Sequence, residues 1–224
     1  ELKRQTSVST AFFQFNWKKH TINLIDTPGD QSFFNDTKFC MQAADAALVV
    51  IDAVDGIKVQ TEIAWEFARD FGLPCFIFIN KLDRERSDFV KTFNDAKEIF
   101  EPKPILLQLP IGKETEFKGV VDLTRMKAFV YDESGKASEI DVPADMKDEV
   151  ESEREAFIEN VAEADDALVE RYLEGEELSD EDIRGALKAG ILSRAFVPVL
   201  CGSATANIGV DLLLDFIAGA APSP

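Results

Sequence analysis

The amino-acid sequence predicts an α/β fold with a mostly parallel sheet, and three observations support that class. Two continuous apolar runs of strand length, at 46–53 and 75–80, are typical of strands buried on both faces of a parallel sheet. Apolar residues at helical spacing over 58–72 predict a helix between them, with Gly72 at its C-terminal end. A third apolar run at 195–202 precedes a helical pattern at 209–220. Because strands and helices alternate, we expect the strands to lie parallel and to be joined by helices.

Further elements extend this pattern on both sides of the two buried runs. Residues 8–15 and 20–26 predict two strands joined by a short turn. Residues 87–100 predict an amphipathic helix whose N-cap is Ser87 or Asp88.

A different pattern begins after residue 102. Three strand-like segments are followed by a long acidic helix that ends at Gly175; the segments are 104–112, 117–123 and 127–133. One stripe of this helix is apolar and contains Val150, Phe157, Val161, Ala164, Leu168 and Tyr172. Ser179, three residues before Asp182, predicts the start of a short capped helix. We interpret 103–191 as an inserted α+β subdomain between core segments at 1–102 and 192–224.

Acidic residues are concentrated in one segment. The chain carries 42 Asp and Glu against 24 Lys and Arg, a formal net charge of −18. Residues 132–183 contain 21 acidic and four basic residues, and the remainder is close to neutral. The plainest interpretation is a solvated helical face. The alternative is a docking surface for a basic partner.

The composition excludes several classes of protein. No apolar run approaches the ~18 residues that a membrane span needs, and the first ten residues show no secretory signal pattern. Cys40, Cys75 and Cys201 lie far apart, so we expect free thiols rather than a disulfide or a zinc site. We expect a cytoplasmic protein without a membrane partner.

A four-residue motif, Asn80-Lys81-Leu82-Asp83, follows the second buried run. An aspartate in this position can accept hydrogen bonds from N1–H and from the exocyclic amine of guanine. Adenine offers neither donor, so binding it would leave the carboxylate unpaired at a cost of about 1–3 kcal/mol. Asn80 would hold the base and the loop, and the stem of Lys81 would cover the base plane. A plain strand-end turn is the alternative, because four residues often match by chance.

Two more strand ends carry candidate nucleotide contacts. The D-T-P-G segment at 26–29 offers a carboxylate that can hold Mg²⁺ through water, and its glycine N–H can approach a γ-phosphate. Ser203 and Ala204, after the last strand, can offer backbone N–H groups to guanine O6. A Pro-Gly turn alone is common. The order and the strand-end placement of all three segments argue against coincidence.

Taken together, these motifs resemble the GTPase domain of bacterial elongation factor G, including the inserted G′ subdomain of that family. The likeness spans essentially the whole chain, and its segments are 26–30, 49–62, 78–89, 107–112, 117–123, 162–179 and 198–215. The resemblance implies a P-loop GTPase-type sheet. It also implies a ribosome-dependent translational GTPase that acts in translocation or ribosome recycling, as a divergent paralogue.

The resemblance also assigns site residues. It implies these GTP-binding residues: Asp26, Thr27, Pro28, Gly29, Asp30, Asn80, Lys81, Leu82, Asp83, Ser203 and Ala204. Ser7 falls where the family has a Mg²⁺-binding threonine, and serine keeps the hydroxyl, so Ser7 and Asp26 would hold Mg²⁺, the latter through water. Gln5 departs from the glycine that the family has in this stretch.

Asp30 is the first departure from the family pattern, because a histidine that orients the attacking water is expected there. A carboxylate can accept the proton of that water, but it brings negative charge towards the γ-phosphate. Gln31 is a second candidate for orienting the water, through its amide. We expect slower or differently triggered hydrolysis.

The second departure is that no phosphate loop, G-x-x-x-x-G-K-[ST], occurs in these residues. We therefore expect a piece truncated before switch I, without its N-terminal strand, which would lie between the strands at 20–26 and 46–53. Two strands would then have unpaired backbone groups, so another chain, a swapped element or a rearranged sheet is expected to close the gap. GTP or GDP and Mg²⁺ are the expected cofactors of the full-length protein, and we expect these residues alone to bind nucleotide very weakly.

Alternative functions remain open at this point. The first is a GTP-hydrolysing ribosomal factor, and the second is a GTP-loaded ribosome ligand that barely hydrolyses because of Asp30. A third alternative is the recycling GTPase of peptide release, which shares the core motifs. Residues 117–123 of this chain are less similar to that protein than to elongation factor G. The expected partner is the ribosome, with its stalk protein contacted by the acidic insertion, and RNA is contacted only as part of the ribosome.

Overall fold

Strands and helices alternate along the chain in the computed structural model, which describes residues 7–176 and 178–223. The predicted role of Gln5 lies outside the described residues. The strands are β1 Ala11–Trp17, β2 His20–Asp26, β3 Ala47–Asp52, β4 Cys75–Asn80, β5 Pro104–Leu106, β6 Gln108–Ile111, β7 Gly119–Asp122, β8 Lys127–Tyr131, β9 Ala137–Ile140 and β10 Val197–Cys201. The helices are α1 Phe34–Met41, α2 Val59–Asp70, α3 Phe89–Ile99, α4 Lys147–Ala162, α5 Asp166–Leu173, α6 Asp180–Ser193 and α7 Val210–Ala220.

A four-stranded parallel sheet forms the centre of the molecule, in the order β3-β4-β10-β5. This confirms the predicted fold class. Both faces of β4 are buried: Ile77 and Ile79 face one core, while Phe76 and Phe78 belong to cores on the other side. Because neither face meets water, the strand is apolar at every position from Cys75 to Ile79 rather than at alternate ones.

Helices cover both faces of this sheet. On one face α2 and α3 pack through Trp65 and Ala96, which are both buried. On the other face α4 and α6 pack through Phe157 and Ile191, and α7 adds further apolar residues. The N-cap of α3 is Asp88, whose side chain accepts from the Lys91 N–H at 2.9 Å.

A second, antiparallel sheet has the order β6-β7-β8-β9. The predicted strand at 104–112 is divided between the two sheets: β5 pairs with β10, whereas β6 pairs with β7. Leu107 is the point of transfer, because its N–H donates to Val199 and its carbonyl accepts from Leu123. The second sheet therefore begins after Leu107. The predicted domain limits, 1–102, 103–191 and 192–224, stay predictions.

The long acidic helix predicted up to Gly175 is two helices, α4 and α5. The chain turns at 163–165, where the Asp165 N–H donates to the Ala162 carbonyl and the Asp165 carbonyl accepts from Val169. Aspartate is favoured at the start of a helix, so Asp165 is a local signal that a new helix, α5, begins here. The apolar stripe is nevertheless buried or half-buried along both helices, and the capping box between Ser179 and Asp182 at the start of α6 is confirmed.

The hairpin of β1 and β2 forms a sheet of its own. Its turn is fixed to α7, where Asp215 accepts from Trp17 Nε1 at 2.8 Å and lies 2.7 Å from Lys18 Nζ. Within residues 7–176 and 178–223, no strand pairs with the outer edge of β3 or lies between it and β2. What closes that gap stays a prediction.

The cysteines and the lengths of the helices can be compared with what the composition predicted. Cys40, Cys75 and Cys201 are free thiols, as expected. No helix in the described part of the chain is both long and apolar enough to cross a lipid bilayer.

We predict opposite effects on stability when two glycines of α6 are replaced by alanine. A Cβ on Gly190 would lie 2.3 Å from the buried ring of Phe196, whereas a Cβ on Gly185 would meet no heavy atom within 4 Å. We expect Gly190→Ala to lower the free energy of unfolding by about 1–3 kcal/mol through overpacking. Gly185→Ala should raise it by about 0.5–1 kcal/mol, because alanine favours the helix. Chemical denaturation measures both, and a loss of similar size in the two variants would contradict the packing argument.

Candidate functional site

Three strand ends lie side by side at the carboxyl edge of the parallel sheet. Asp52 ends β3 and is paired in register with Asn80, which ends β4. Cys201 ends β10 and is in register with Ile79. The segments that follow these strands are therefore neighbours, whatever their distance in sequence. This is the edge of an open α/β sheet at which ligands generally bind.

Asn80 holds two of these segments together. Its Oδ1 accepts from the Lys81 N–H at 2.8 Å and from the Ala204 N–H at 2.9 Å, across 124 positions of sequence. Two backbone hydrogen bonds add to this link: the Gly202 N–H donates to Ile79, and the Leu82 N–H donates to the Gly202 carbonyl. The structure thus brings together the two turns that were predicted to form the guanine end of the site.

Asp83 has a carboxylate oxygen without a partner. Its Oδ1 is buried and makes no hydrogen bond with any described residue. Its Oδ2 lies 3.8 Å from Nε of Arg84. An unpaired buried acceptor costs about 1–3 kcal/mol, and more when it is charged. A ligand that carries N–H donors would remove that cost, so the residue fits the base for which it was predicted.

Lys81 and Asp52 form an ion pair beside this carboxylate. Lys81 Nζ lies 2.5 Å from Asp52 Oδ2, and the Lys81 backbone is left-handed with φ 67°. Burial opposes ionisation of Asp52, but the hydrogen bonds from Lys81 and from the N–H groups of Val54 and Asp55 outweigh it and lower the pKa. The pair keeps Asp52 charged and restrains the stem of Lys81.

A cleft of about 600 Å³ opens next to these side chains, with Asp52, Lys81, Asp83 and Arg84 among the residues that line it. Asp52 was not among the site residues predicted from the sequence. The sequence did contain an indication of its position, because Asp52 is a polar residue at the end of a buried apolar strand, as Asn80 is in β4.

The backbone donors of the last turn are already engaged. The Ser203 N–H donates to the Ile208 carbonyl at 3.0 Å, and the Ala204 N–H donates to Asn80. Each of these N–H groups therefore has an acceptor within the protein, and the contact of both with guanine O6 stays a prediction. Gly202 has a steric role that the sequence did not reveal: a Cβ there would lie 2.2 Å from the Ile208 carbonyl oxygen.

The turn at 26–31 is built by separate contacts. Pro28 is buried, and its carbonyl accepts from Oγ1 of buried Thr37 in α1 at 2.9 Å. Asp26 and Gly29 are exposed, and a Cβ on Gly29 would meet no atom within 4 Å. Packing within the chain therefore does not explain a glycine here. Thr27 is half-buried between these residues.

Asp30 has a structural role that the sequence analysis did not consider. Its Oδ1 accepts from the Ser32 N–H at 2.8 Å and caps the short 3₁₀ turn that begins at Gln31. Both Asp30 and Gln31 are exposed. Capping by Asp is a common reason for the residue at such a position.

The positions of the predicted Mg²⁺ ligands are fixed by fewer contacts than the position of Asn80. Ser7 is half-buried and lies outside the strands and helices, and Asp26 is exposed at the end of β2. Because β2 belongs to the separate hairpin, strand pairing does not fix the position of Asp26 relative to Asp83. Across 7–176 and 178–223, no group of three or more His, Cys, Asp or Glu could enclose a metal ion.

A parallel sheet covered by helices on both faces, with polar turns at its carboxyl edge, is an arrangement that GTPase domains share with other α/β proteins. Comparison with known proteins identifies the family. The sequence model of the elongation factor Tu GTP-binding domain matches residues 1–223. The chain therefore belongs to that family and is a GTP-binding domain of the translational GTPase type.

A solved structure supports the same relationship. The crystal structure of a protein from Thermus thermophilus superimposes with a TM-score of 0.92 and 32% sequence identity. The match covers 99% of this chain and 33% of the Thermus chain. This chain thus spans about a third of the length of that protein.

Removal of the Asn80 side chain tests the link between the two turns. Asn80→Ala leaves the N–H groups of Lys81 and Ala204 without their acceptor, so we expect a loss of about 1–3 kcal/mol in stability. Amide hydrogen exchange should show lower protection at Ala204, while Asn94→Ala, on the exposed face of α3, should leave it unchanged. Unaltered protection at Ala204 in the Asn80 variant would show that the bridge does not hold the turn.

Proposed function

We propose that this chain is the nucleotide-binding domain of an elongation factor G-like translational GTPase with an inserted G′ subdomain. In this proposal the protein binds and hydrolyses GTP on the ribosome, in translocation or in recycling. One observation carries the proposal: the buried, unpaired Oδ1 of Asp83 lies at the carboxyl edge of the sheet, beside the Asn80 bridge. The family model supports the nucleotide class.

Guanine fits this carboxylate because it carries two adjacent donors, N1–H and the exocyclic amine. Asn80 fixes the turn from which Asp83 projects, and Leu82 anchors it because its side chain is 3% exposed. The ion pair with Asp52 restrains Lys81, whose stem would cover the base. In this proposal the turn at Ser203 and Ala204 backs the base, and the Asn80 bridge holds that turn in place.

The segment at 26–29 would contact the phosphates in this proposal. Gly29 is exposed with open space where a Cβ would lie, and the carbonyl of Pro28 accepts a hydrogen bond from Thr37. Asp26 and Ser7 would hold Mg²⁺, which supplies positive charge to balance the phosphates. Mg²⁺ usually keeps several waters and takes few protein ligands, so two oxygen groups suffice on the protein side.

A second candidate function is a GTP-binding ribosome ligand with little hydrolysis. The observation that favours it is the hydrogen bond from Ser32 to Asp30, which gives this carboxylate a capping role in place of a catalytic one. A negative charge about 4–5 Å from the γ-phosphate would also repel it by roughly 3–4 kcal/mol at an effective dielectric of ~20. Gln31 is the remaining candidate for orienting water.

The acidic insertion would contact the ribosomal stalk protein in this proposal. The exposed face of α4 carries Asp148, Glu149, Glu151, Glu155 and Glu159. A basic partner surface would be attracted to this face, and the attraction would weaken as the salt concentration rises.

The specificity of Asp83 can be tested by replacing its carboxylate with an amide. In the intact protein, Asp83→Asn should bind guanine nucleotides about tenfold or more weakly, because one charged hydrogen bond contributes about 1.5–3 kcal/mol. It should gain affinity for xanthine nucleotides, whose C2 carbonyl can accept from the new amide. Titration with fluorescent nucleotides measures both. Asp55→Asn, in the same cleft, is the control, and unchanged guanine affinity in Asp83→Asn would overturn the assignment.

Hydrolysis can be tested at Asp30. We expect Asp30→His to raise ribosome-stimulated GTP turnover in the intact protein, because it removes a negative charge near the γ-phosphate. Asp30→Asn keeps a capping oxygen without the charge, so it separates electrostatic repulsion from loss of the cap. A fall in turnover in both variants would mean that Asp30 itself acts on the water.

A further inference from the structure

A second cavity, of about 260 Å³, lies at the opposite edge of the parallel sheet. Cys75 and Val197, the first residues of β4 and β10, line it, whereas the candidate nucleotide turns follow the last residues of the same strands. Arg69 in the last turn of α2 and Arg194 at the end of α6 form part of its wall. The cavity is therefore separate from the candidate nucleotide site.

The cavity is apolar at its base and basic at its rim. Trp65, Leu73, Cys75, Phe196 and Val197 are all buried and form the base. The exposed rim contains the two arginines and Ser193, and no lining residue is acidic. In a chain with 42 acidic and 24 basic residues, a cavity with two arginines and no acid is a distinct electrostatic environment.

Neither guanidinium has a described partner of opposite charge. Among the residues that the structure describes, the ion pairs involve Arg84, Arg125, Arg154 and Arg171, but not Arg69 or Arg194. Arg194 Nη1 lies over Gly72, 2.9 Å from the position that a Cβ would take there. Burial raises the pKa of the Cys75 thiol to about 12, and the charge of Arg194 acts in the opposite direction, which places that charge near the cavity base.

The backbone of Arg194 is also unusual. It is left-handed, with φ 62°, at a helix C-cap, where glycine or asparagine is normally found. A side chain in this conformation is less favourable than glycine. The helix dipoles of α2 and α6 account for a basic residue near each of these two C-termini, Arg69 and Arg194 respectively. They do not account for an adjoining apolar cavity with an indole in its base.

We propose that this cavity binds a small amphiphilic anion: an aromatic or short aliphatic group that carries a carboxylate or a phosphate. The apolar group would lie at the base of the cavity, against Trp65 and Phe196. The anionic head would lie at the rim, where Arg69 and Arg194 can form paired hydrogen bonds with its oxygens.

The chain has two tryptophans, so Trp65 can report binding directly. In a Trp17→Phe background, titration with phenylpropionate or phenyl phosphate should change Trp65 fluorescence saturably. Phenylpropanol, which has the same apolar group without the charge, should bind about tenfold or more weakly. The two charged probes distinguish a carboxylate from a phosphate head, and calorimetry on the unaltered chain provides a second measurement.

Arginine variants test the rim. Arg69→Gln and Arg194→Gln should each weaken phenylpropionate binding by about tenfold, because each removes a charge-assisted hydrogen bond. Arg184→Gln, an exposed arginine of α6 outside the cavity, is the matched control and should bind normally. No saturable signal up to about 10 mM of either charged probe would overturn the proposal, since that is weaker than specific binding. Equal binding by the three arginine variants would overturn it as well.

Discussion

The hydrogen bonds accepted by Asn80 Oδ1 are the interaction on which the candidate nucleotide site depends. One amide oxygen receives the N–H of the next residue and the N–H of Ala204, so it joins turns that follow two different strands. The parallel sheet places those strands side by side, but the sheet alone does not fix the turns beyond it. A carboxylate such as Asp83 can be held in place only if its own turn is held, and Asn80 provides that restraint.

The site is kept at some cost to stability, which the cores on both faces of the sheet outweigh. Asp83 keeps a buried oxygen without a partner, and Lys81 has a left-handed backbone. Both features are unfavourable in the absence of a ligand and are typical of functional positions. Around them, Ile79 and Cys201 are fully buried. The strands below the site are therefore well packed, and the unfavourable features at this edge of the sheet lie in the turns that follow them.

Much of the architecture follows from local pattern. The strand at 75–80 has the predicted limits, Asp88 caps α3, and the capping box of α6 is formed by the predicted pair. The pairing of the strands was harder to predict from the sequence. Residues 104–112 are apolar throughout, and nothing in that run shows that Leu107 separates two sheets. The break between α4 and α5 had a local signal in Asp165, but the continuous apolar stripe hid it.

The sequence by itself determined the class of fold, the family resemblance and the guanine motif at 80–83, because these depend on residue type and spacing along the chain. Only the tertiary structure decided which acceptors the backbone N–H groups of Ser203 and Ala204 reach, and that Asp52 restrains Lys81. It also decided that two arginines, neither with an ion pair among the described residues, line one cavity. The physical reason is that a hydrogen-bonding group has one set of neighbours in space. Which acceptor an N–H reaches, or which charge a guanidinium faces, depends on residues that the fold brings from distant parts of the chain.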